Sequence, residues 1–189
     1  NSYYSYQAQG VSDIGADPNV LAVGAVYDGN VGGFSYGDGA VAYSTSLDQI
    51  TPFSQRSTTL VDIFAPGAPI TGAGASGSGT VTMHGTSQAS PHIAGVVALA
   101  QELAVQTIGR KLTVAEFTGL LKSSGLSIYD GDNENDNVIN TQTSYKRVDM
   151  MALGQAILAL PALPDQIVGT PGDDVLSGTT RAAWIQGLG

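Results

Sequence analysis

Two short apolar runs in the first third of the chain have the pattern of buried β-strands. Residues 20–26 read VLAVGAV, without a polar interruption and with several β-branched side chains. Residues 61–64 read VDIF and form a second, mostly apolar run, which the sequence APG closes. Continuous apolar character is typical of strands that are covered on both faces, as in a parallel sheet. Between the two runs, residues 28–57 are rich in Gly, Ser, Thr and Tyr without a clear period, which predicts a long surface excursion.

Three segments farther along the chain are predicted to be helices. Residues 87–105 are apolar nearly all round, which predicts a helix buried inside a layered fold. Thr113 and Glu116 have the spacing of a capping box, so a second helix is expected to start at Thr113 and to stop near Gly125. A third is expected over about residues 149–160, with an acid at its start and a proline directly after it. Strands followed by helices indicate an α/β layered domain.

The last part of the chain has a different character. Glycine recurs every nine residues, at positions 169, 178 and 187. This period predicts two copies of a nonapeptide repeat and the start of a third. We place a boundary near Leu163, so that residues 1–163 form the cored domain and residues 164–189 form a truncated repeat tail rich in glycine and aspartate.

Composition and charge narrow the class of protein. The chain has 189 residues, of which 42% are apolar and only 12% are charged, as expected of a globular domain. Sixteen acidic against seven basic residues give a net charge of −9, so neither nucleic acid nor an anionic membrane is an expected partner. No apolar run approaches the roughly 20 residues of a membrane-spanning helix. Cysteine is absent, which by itself decides nothing about the compartment. No signal-peptide pattern follows Asn1, and we interpret this start as a truncation.

Residues 85–95, GTSQASPHIAG, contain the candidate nucleophile. They place Ser87 at the start of the predicted buried helix. A serine hydroxyl becomes an effective nucleophile when a base takes its proton, and a backbone N–H at a helix N-terminus can stabilise the oxyanion that forms after attack. Pro91 is expected in the first turn, where its missing N–H has no helical partner. We therefore expect Ser87 to be exposed on a rigid base.

These eleven residues resemble the nucleophile motif of the subtilisin-like serine proteases (peptidase S8). The resemblance extends upstream, in the order of the family, to VLAVGAV, to ITPFSQR at 50–56 and to VDIFAPG at 61–67, and it covers roughly residues 1–160. It implies the C-terminal half of a three-layer α/β domain with parallel strands and a buried central helix. It also implies a secreted, extracellular serine endopeptidase that hydrolyses proteins or peptides through an acyl-enzyme on Ser87.

The resemblance assigns roles to three further side chains. The family has an oxyanion-stabilising asparagine about two dozen residues before the glycine of its VGA strand, and Asn1 lies 23 residues before Gly24. Asn1 is therefore expected to donate to the oxyanion together with the N–H of Ser87. His92 lies among apolar residues and is expected to point into the core, where the family has a structural histidine. His84 is expected to line the substrate cleft rather than to act as the base.

No other position resembles the aspartate or base-histidine motifs of the family, which occur earlier in such chains. The resemblance therefore implies that the upstream half of the same protease domain supplies both groups. This chain alone is expected to be inactive, and catalysis is expected to need no cofactor.

Calcium is a possible structural ligand at two places. The sequence DGDNEND places carboxylates at alternate positions, from which one loop could wrap a calcium ion: Asp130, Asp132, Glu134 and Asp136. An EF-hand is not indicated, since Asn135 and Thr141 occupy the positions where that loop needs Gly and Glu. A solvated acidic turn is the alternative. In the tail, GTPGDDVLSG resembles the opening of the haemolysin-type (RTX) repeats that bind calcium in secreted bacterial proteins, but the second copy has alanines at 182 and 183 where aspartates would be needed.

Two other classes of function stay open at this point. The chain could be a non-catalytic relative that keeps the protease scaffold for binding, or a calcium-dependent binding module. The second of these rests on the tail alone.

Overall fold

A four-stranded sheet with helices packed against it forms the centre of the part of the chain that the computed structural model describes, which is residues 13–37, 39–131, 135–163, 165–173, 175–178 and 183–186. The elements follow one another in this order: β1 (Val23–Tyr27), β2 (Phe34–Ser35), β3 (Val41–Ala42), β4 (Ile63–Ala68), β5 (Ile70–Ala73), β6 (Thr80–Met83), α1 (Thr86–Ile108), α2 (Val114–Ser124), β7 (Leu126–Asp130), β8 (Thr143–Arg147), α3 (Met150–Leu158), β9 (Asp165–Val168) and β10 (Ala183–Gln186). The central sheet has the order β1, β4, β8, β7. β4 is parallel to β1 and β8, and β7 is antiparallel to β8. The predicted α/β class with parallel strands is confirmed.

The main apolar core lies between this sheet and the helices. α1 packs on β1 and β4, and α3 packs on α1. Side chains alternate between the two faces of a strand, so Ile63 and Ala65 of β4 belong to the main core. Phe64 points to the other face, where its ring meets that of Tyr145 at 5.2 Å in a smaller cluster. Both faces of β4 are thus buried, as its continuous apolar sequence predicts.

β4 is longer than the sequence predicts, because it continues through Pro66 to Ala68. A proline lacks the N–H that an inner strand position needs for its neighbour. β8 pairs with β4 at Phe64, and Pro66 lies beyond that pairing. On the other side Pro66 faces Val26 of β1, next to an irregularity in the ladder. The strand therefore accommodates the proline where it no longer pairs with β8.

α1 is buried along one face only. Its buried side chains recur at helical spacing: Ala89, Ile93, Val96, Ala100, Ala104 and Ile108. Ala94, Ala98 and Leu99 lie on the other side and are exposed, Leu99 by 61%. α1 is thus the predicted helix packed inside the layered fold along one face, and none of the elements of the described residues covers its second face. Although α1 has 23 residues, no helix of the described part of the chain is long and apolar enough to cross a membrane.

Local signals decide where α2 and α3 begin. Thr113 Oγ1 accepts from the N–H of Glu116 at 3.2 Å, and the Glu116 carboxylate accepts from the N–H of Thr113 at 2.8 Å. This reciprocal pair confirms the predicted capping box, and α2 ends just before Gly125, as expected. Asp149 caps α3 through its carboxylate, which accepts from a first-turn N–H at 3.0 Å. The starts of α2 and α3 each depend only on residues within a few positions of each other. The sequence can therefore predict both.

The excursion between β1 and β4 is partly buried, contrary to the prediction of a surface segment. Its first part forms the short β2–β3 ladder, and residues 49–54 are all buried. The N–H of Thr51 donates to the carbonyl of Ala25 at 3.0 Å, and Ser54 Oγ accepts from the N–H of Ala25 at 3.0 Å. This segment therefore lies against β1, and its polar side chains satisfy the backbone of that strand.

A buried ion pair ties the excursion to the hairpin of β7 and β8. Arg56 Nε donates to Asp130 Oδ1 at 2.8 Å, and these side chains are 4% and 0% exposed. The second carboxylate oxygen of Asp130 accepts from the N–H and the hydroxyl of Thr141, both at 2.7 Å. Asp136 Oδ2 lies 3.8 Å from Arg56 Nη2, and burial raises the pKa of this carboxyl. The guanidinium of Arg56 is therefore the cationic partner of two buried carboxylates.

The described part of the tail contains a parallel strand pair. β9 pairs with β10 in a register that matches Asp165 with Ala183 and Ile167 with Ile185. Each residue thus faces the one eighteen positions later, which is twice the glycine period of the sequence. The N–H of Gly169 extends the ladder by donating to the carbonyl of Gln186 at 2.8 Å.

Replacing Arg56 by methionine should destabilise the chain strongly. The substitution leaves Asp130 and Asp136 buried without a cation, for which a loss of about 3–5 kcal/mol in the free energy of unfolding is expected. Arg110→Met is the matched control, because Arg110 pairs with Glu116 at 2.6 Å on the surface. Urea unfolding followed by circular dichroism measures both variants. Equal losses of unfolding free energy in the two variants would show that the buried ion pair stabilises the chain no more than the surface pair does.

Candidate active site

Ser87 is the second residue of α1, and its side chain is exposed. The turn before it is fixed by a hydrogen bond from the N–H of Gly85 to the carbonyl of Gly67 at 2.9 Å. The backbone N–H groups of Gln88 and Ala89 then donate to the carbonyl of Gly85 at 3.0 and 3.3 Å and start the helix. The serine hydroxyl therefore stands outward at the N-terminus of a helix whose other end is packed in the core, as the sequence predicts.

The turn and strand β4 approach each other so closely that a side chain would not fit between them. A Cβ atom on Gly67 would lie 2.6 Å from Ala25 Cβ and 2.8 Å from the carbonyl oxygen of Gly85. Contacts this short require the backbone to shift. Glycine at position 67 is thus needed for the direct strand-to-turn hydrogen bond that places Ser87.

Pro91 lies inside α1 and not in its first turn, so that part of the sequence interpretation is wrong. α1 begins at Thr86, which makes Pro91 the sixth helical residue. In a regular helix the N–H at position 91 would donate to the carbonyl of Ser87. Proline has no such N–H, and the carbonyl of the candidate nucleophile is therefore released from the regular helical ladder.

Neither histidine is hydrogen-bonded to Ser87 in the described part of the chain. The Ser87 hydroxyl donates to Gln88 Oε1 at the long distance of 3.4 Å. His92 is exposed, and its Nδ1 donates to the carbonyl of Gln88 at 2.8 Å. The prediction that His92 points into the core is therefore wrong, since it lies on the uncovered side of α1. Asn1, the predicted oxyanion donor, lies outside the described residues.

Three clefts border Ser87, and one of them, of about 360 Å³, also touches Ile70 and His92. Two more open on other sides of Ser87. One, of about 290 Å³, is bordered by Leu21, Val23 and Gln55 among others. The other, of about 260 Å³, is bordered by Tyr36, Phe53, His84 and residues 85–87, and we call it the Tyr36–His84 cleft. Ser87 is therefore accessible from several sides.

The Tyr36–His84 cleft includes residues that the sequence interpretation missed. Phe53 belongs to the ITPFSQR segment of the resemblance, but its role at the cleft depends on the burial of residues 49–54, which was not predicted. Tyr36 lies in an excursion without a periodic pattern, and no local signal singles it out. The expectation that His84 lines a cleft beside Ser87 agrees with its position in the structure.

The aromatic walls of this cleft are held in an uncharged state. The hydroxyls of Tyr27 and Tyr36 are hydrogen-bonded at 2.6 Å, and burial strongly raises the pKa of Tyr27. Burial lowers the pKa of His84, whose Nδ1 is buried without a hydrogen-bond partner among the described residues. A protonated imidazole would bury an N–H with no acceptor there, which favours the neutral ring.

Of the four candidate calcium ligands, Asp130 and Asp136 lie among the described residues. Both oxygens of Asp130 already accept hydrogen bonds from Arg56 and Thr141, so Asp130 does not fit a role as a metal ligand. Asp136 faces the same guanidinium, and Asp132 and Glu134 lie outside the described residues. Within the described ranges, no group of three or more His, Cys, Asp or Glu side chains could hold a metal ion. Calcium in this loop stays a prediction that would need ligands other than Asp130.

Comparisons with known proteins agree with this geometry. A profile of the subtilase family, peptidase S8, matches residues 1–148. The chain belongs to the subtilase family. The subtilisin-like protease 3 of Trichophyton equinum is 48% identical over 73 residues, which are 38% of this chain and 18% of the relative. The alkaline extracellular protease of Yarrowia lipolytica is 37% identical over 107 residues, 52% of this chain and 24% of the relative.

A solved structure supports the fold of this subtilase chain. The patellamide maturation protease PatA superposes with a TM-score of 0.54 at 26% identity, over 75% of this chain and 44% of that one. The chain thus spans less than half of each of these three proteins. The architecture predicted from the resemblance is confirmed, apart from the repeat tail.

A methyl group on Gly67 should destabilise the chain. Gly67→Ala places its Cβ against the carbonyl of Gly85, and overpacking of this kind costs about 1–3 kcal/mol in the free energy of unfolding. The control is Gly72→Ala in the exposed strand β5, where a Cβ would meet no atom within 4 Å. Urea unfolding of both variants measures the difference. Equal stability of Gly67→Ala and the parent chain would contradict the close approach.

The stability of the chain should fall with acidification partly through His84. Its lowered folded-state pKa means that the unfolded chain binds the proton more readily, so this contribution is complete above the ordinary histidine pKa of about 6.5 and is lost as the pH falls through the folded value. An NMR titration should place the His84 midpoint below 6.5. His84→Asn should lose less stability than the parent between pH 7 and pH 5. A His84 midpoint at or above 6.5 would refute the burial argument.

Proposed function

We propose that this chain is the nucleophile-bearing part of the catalytic domain of a serine endopeptidase. The observation that supports it best is the exposed position of Ser87 at the N-terminus of the 23-residue helix α1, between two clefts. Among the described residues, no side chain caps this end of the helix. The positive end of the helix dipole and the N–H of Ser87 are therefore available for an oxyanion.

In the proposed reaction, Ser87 Oγ attacks the carbonyl carbon of a peptide bond while a base removes its proton. The C–N bond breaks, the amine leaves with a proton returned by the base, and water then releases the acyl group from Ser87. The N–H of Ser87 stabilises the oxyanion, and we propose Asn1 as the second donor. His92 is hydrogen-bonded to the carbonyl of Gln88, and the ring of His84 packs against aromatic rings at its cleft. We therefore assign the base and its aspartate to residues upstream of this segment.

The uncovered face of α1 is the proposed contact with that upstream half of the same domain. It borders a largely apolar groove of about 560 Å³ between α1 and the start of α3, which Pro91, Leu99 and Met151 help to form. Leu99 and Met151 are 61% and 75% exposed. Apolar patches of this kind mark surfaces that another element covers. The relatives are long enough to contain such a segment, since the matched residues are 18% and 24% of their lengths.

Proteins or peptides are the proposed substrates, and the proposed location is extracellular. The names of the relatives support both, because one is a subtilisin-like protease and another an alkaline extracellular protease. The net charge of −9 argues against nucleic acid or an anionic membrane as a partner. No cofactor is needed for the proposed chemistry.

The tail is proposed to form one coil of a repeat. The eighteen-residue register between β9 and β10 equals two nonapeptides, so that one coil would consist of two copies. The second copy has no aspartate at positions 182 and 183, and we assign no calcium ligands within it. The boundary near Leu163 stays a prediction, as does calcium as a structural ion.

Labelling with a fluorophosphonate probe tests the nucleophile. The full-length protein that contains this chain should be labelled and should hydrolyse casein, and Ser87→Ala should abolish labelling and lower turnover by at least about 10³-fold. Ser123→Ala on exposed α2 is the matched control and should behave as the parent. The 189-residue chain alone should show no Ser87-dependent hydrolysis.

The same experiment separates the alternatives. A full-length protein that folds but is neither labelled nor hydrolytic would indicate a non-catalytic scaffold. Hydrolysis that persists in Ser87→Ala would assign the nucleophile to another residue. Ser87-dependent hydrolysis by the isolated chain would overturn the assignment of the base to upstream residues.

A further inference from the structure

His84 is the single residue between the end of β6 at Met83 and Gly85, the residue that precedes α1. Met83 is paired in the β5–β6 ladder, and the N–H of Gly85 donates to the carbonyl of Gly67 at 2.9 Å. The backbone is therefore hydrogen-bonded on both sides of His84. A displacement of His84 would act directly on the turn that places Ser87.

Contacts with aromatic rings hold the imidazole of His84. Its centroid lies 4.8 Å from that of Phe34 and 5.6 Å from that of Tyr36. Tyr36 in turn meets Phe53, which belongs to the main core, edge to face at 4.9 Å. Contacts of this kind between tilted rings are favourable. The turn before α1 is thus tied to the core through the ring of His84.

These surroundings fit a neutral imidazole better than a charged one. Among the described residues that border the cleft, none is Asp, Glu, Lys or Arg. The titratable groups that face the ring there are the hydroxyl of Tyr36 and, behind it, that of Tyr27, and these two are hydrogen-bonded to each other at 2.6 Å.

The ring nitrogen Nδ1 of His84 is buried and has no hydrogen-bond partner among the described residues. Protonation would bury an N–H there without an acceptor, which is unfavourable. Burial accordingly lowers the pKa of His84. The protonated ring is therefore expected to leave its aromatic contacts for water.

We propose that His84 is a positioning residue for Ser87: its neutral ring holds the turn before α1 in place, and its protonation releases this turn and lowers the reactivity of the Ser87 hydroxyl. The inference rests on the proposed protease function. It adds an acid-sensitive step that is separate from the base of the reaction.

Two substitutions at position 84 isolate the charge of the ring. His84→Gln is uncharged at every pH, and His84→Lys is charged throughout. Ser123→Lys adds the same charge on exposed α2, away from the cleft, and is the matched control. Circular dichroism of each variant defines the pH range in which it is folded.

The measurement is the rate of fluorophosphonate labelling of the full-length protein as the pH is lowered from 8 within that range. All variants share the base, so its titration cancels in the ratio of each variant to the parent. Below the His84 midpoint the parent should lose up to about tenfold more per pH unit than His84→Gln. At pH 8, His84→Lys should be labelled about 10- to 100-fold more slowly than the parent, because its turn is displaced. Ser123→Lys should follow the parent at every pH.

A second readout does not depend on labelling. In an NMR titration of the full-length protein, the amide resonance of Gly85 should shift with the same midpoint as the ring of His84. Asp38 lies outside the described residues. A carboxylate at the ring would raise the His84 midpoint above about 6.5 and would contradict the proposal. This titration needs only the parent protein and keeps the test valid if a variant does not fold.

The outcomes separate this inference from the proposed function. Equal loss of labelling in acid by the parent and His84→Gln would overturn the positioning role and leave the protease proposal intact. Labelling of His84→Lys at the parent rate at pH 8 would do the same, as would a Gly85 amide that does not follow the titration of His84. Absence of labelling in the folded parent protein would refute the protease proposal, and with it the effect on Ser87.

Discussion

The hydrogen bond from the N–H of Gly85 to the carbonyl of Gly67 joins the central strand directly to the turn from which α1 starts. It can form because neither residue has a side chain at the point of approach, where a Cβ on Gly67 would lie 2.6 Å from Ala25 Cβ. The position of Ser87 is therefore fixed relative to β4, nearly all of whose residues are buried. The exposed hydroxyl at the start of α1 gains a rigid support in this way.

The walls of the site depend on a second, more distant interaction. Arg56 pairs with Asp130 across 74 positions of sequence and donates from Nη1 to the carbonyl of Ser54 at 3.1 Å. The same segment presents Phe53 to one cleft and Gln55 to the other. The ion pair therefore holds both sides of the approach to Ser87, although it lies outside them. A buried pair of this kind has a high desolvation cost, and its effect here is to fix one arrangement of the segment.

The sequence predicts the features that depend on contacts between near neighbours in the chain. It does not predict those that depend on contacts between distant positions. The capping box of Thr113 and the exposure of Ser87 depend on neighbours within a few positions, and both were predicted correctly. The burial of residues 49–54 depends on contacts with β1, and the inward position of Asp130 depends on Arg56. Local pattern shows neither, so it predicts a surface excursion for the buried segment and does not reveal that Asp130 pairs with Arg56. His92 was misplaced for the same reason, because an apolar helix face does not reveal which of its sides is covered.

α1 has apolar residues on a face that no element of the described residues covers. A helix that packs on one neighbour needs a single apolar stripe, with polar residues opposite it. Here Ala94, Ala98 and Leu99 lie opposite the buried stripe, and Leu99 is 61% exposed. Apolar residues on both sides of α1 are expected when the helix is enclosed between two layers. A helix enclosed on both sides has less freedom to tilt or slide, so the proposed upstream half of the domain would also help to hold the hydroxyl at its N-terminus in place.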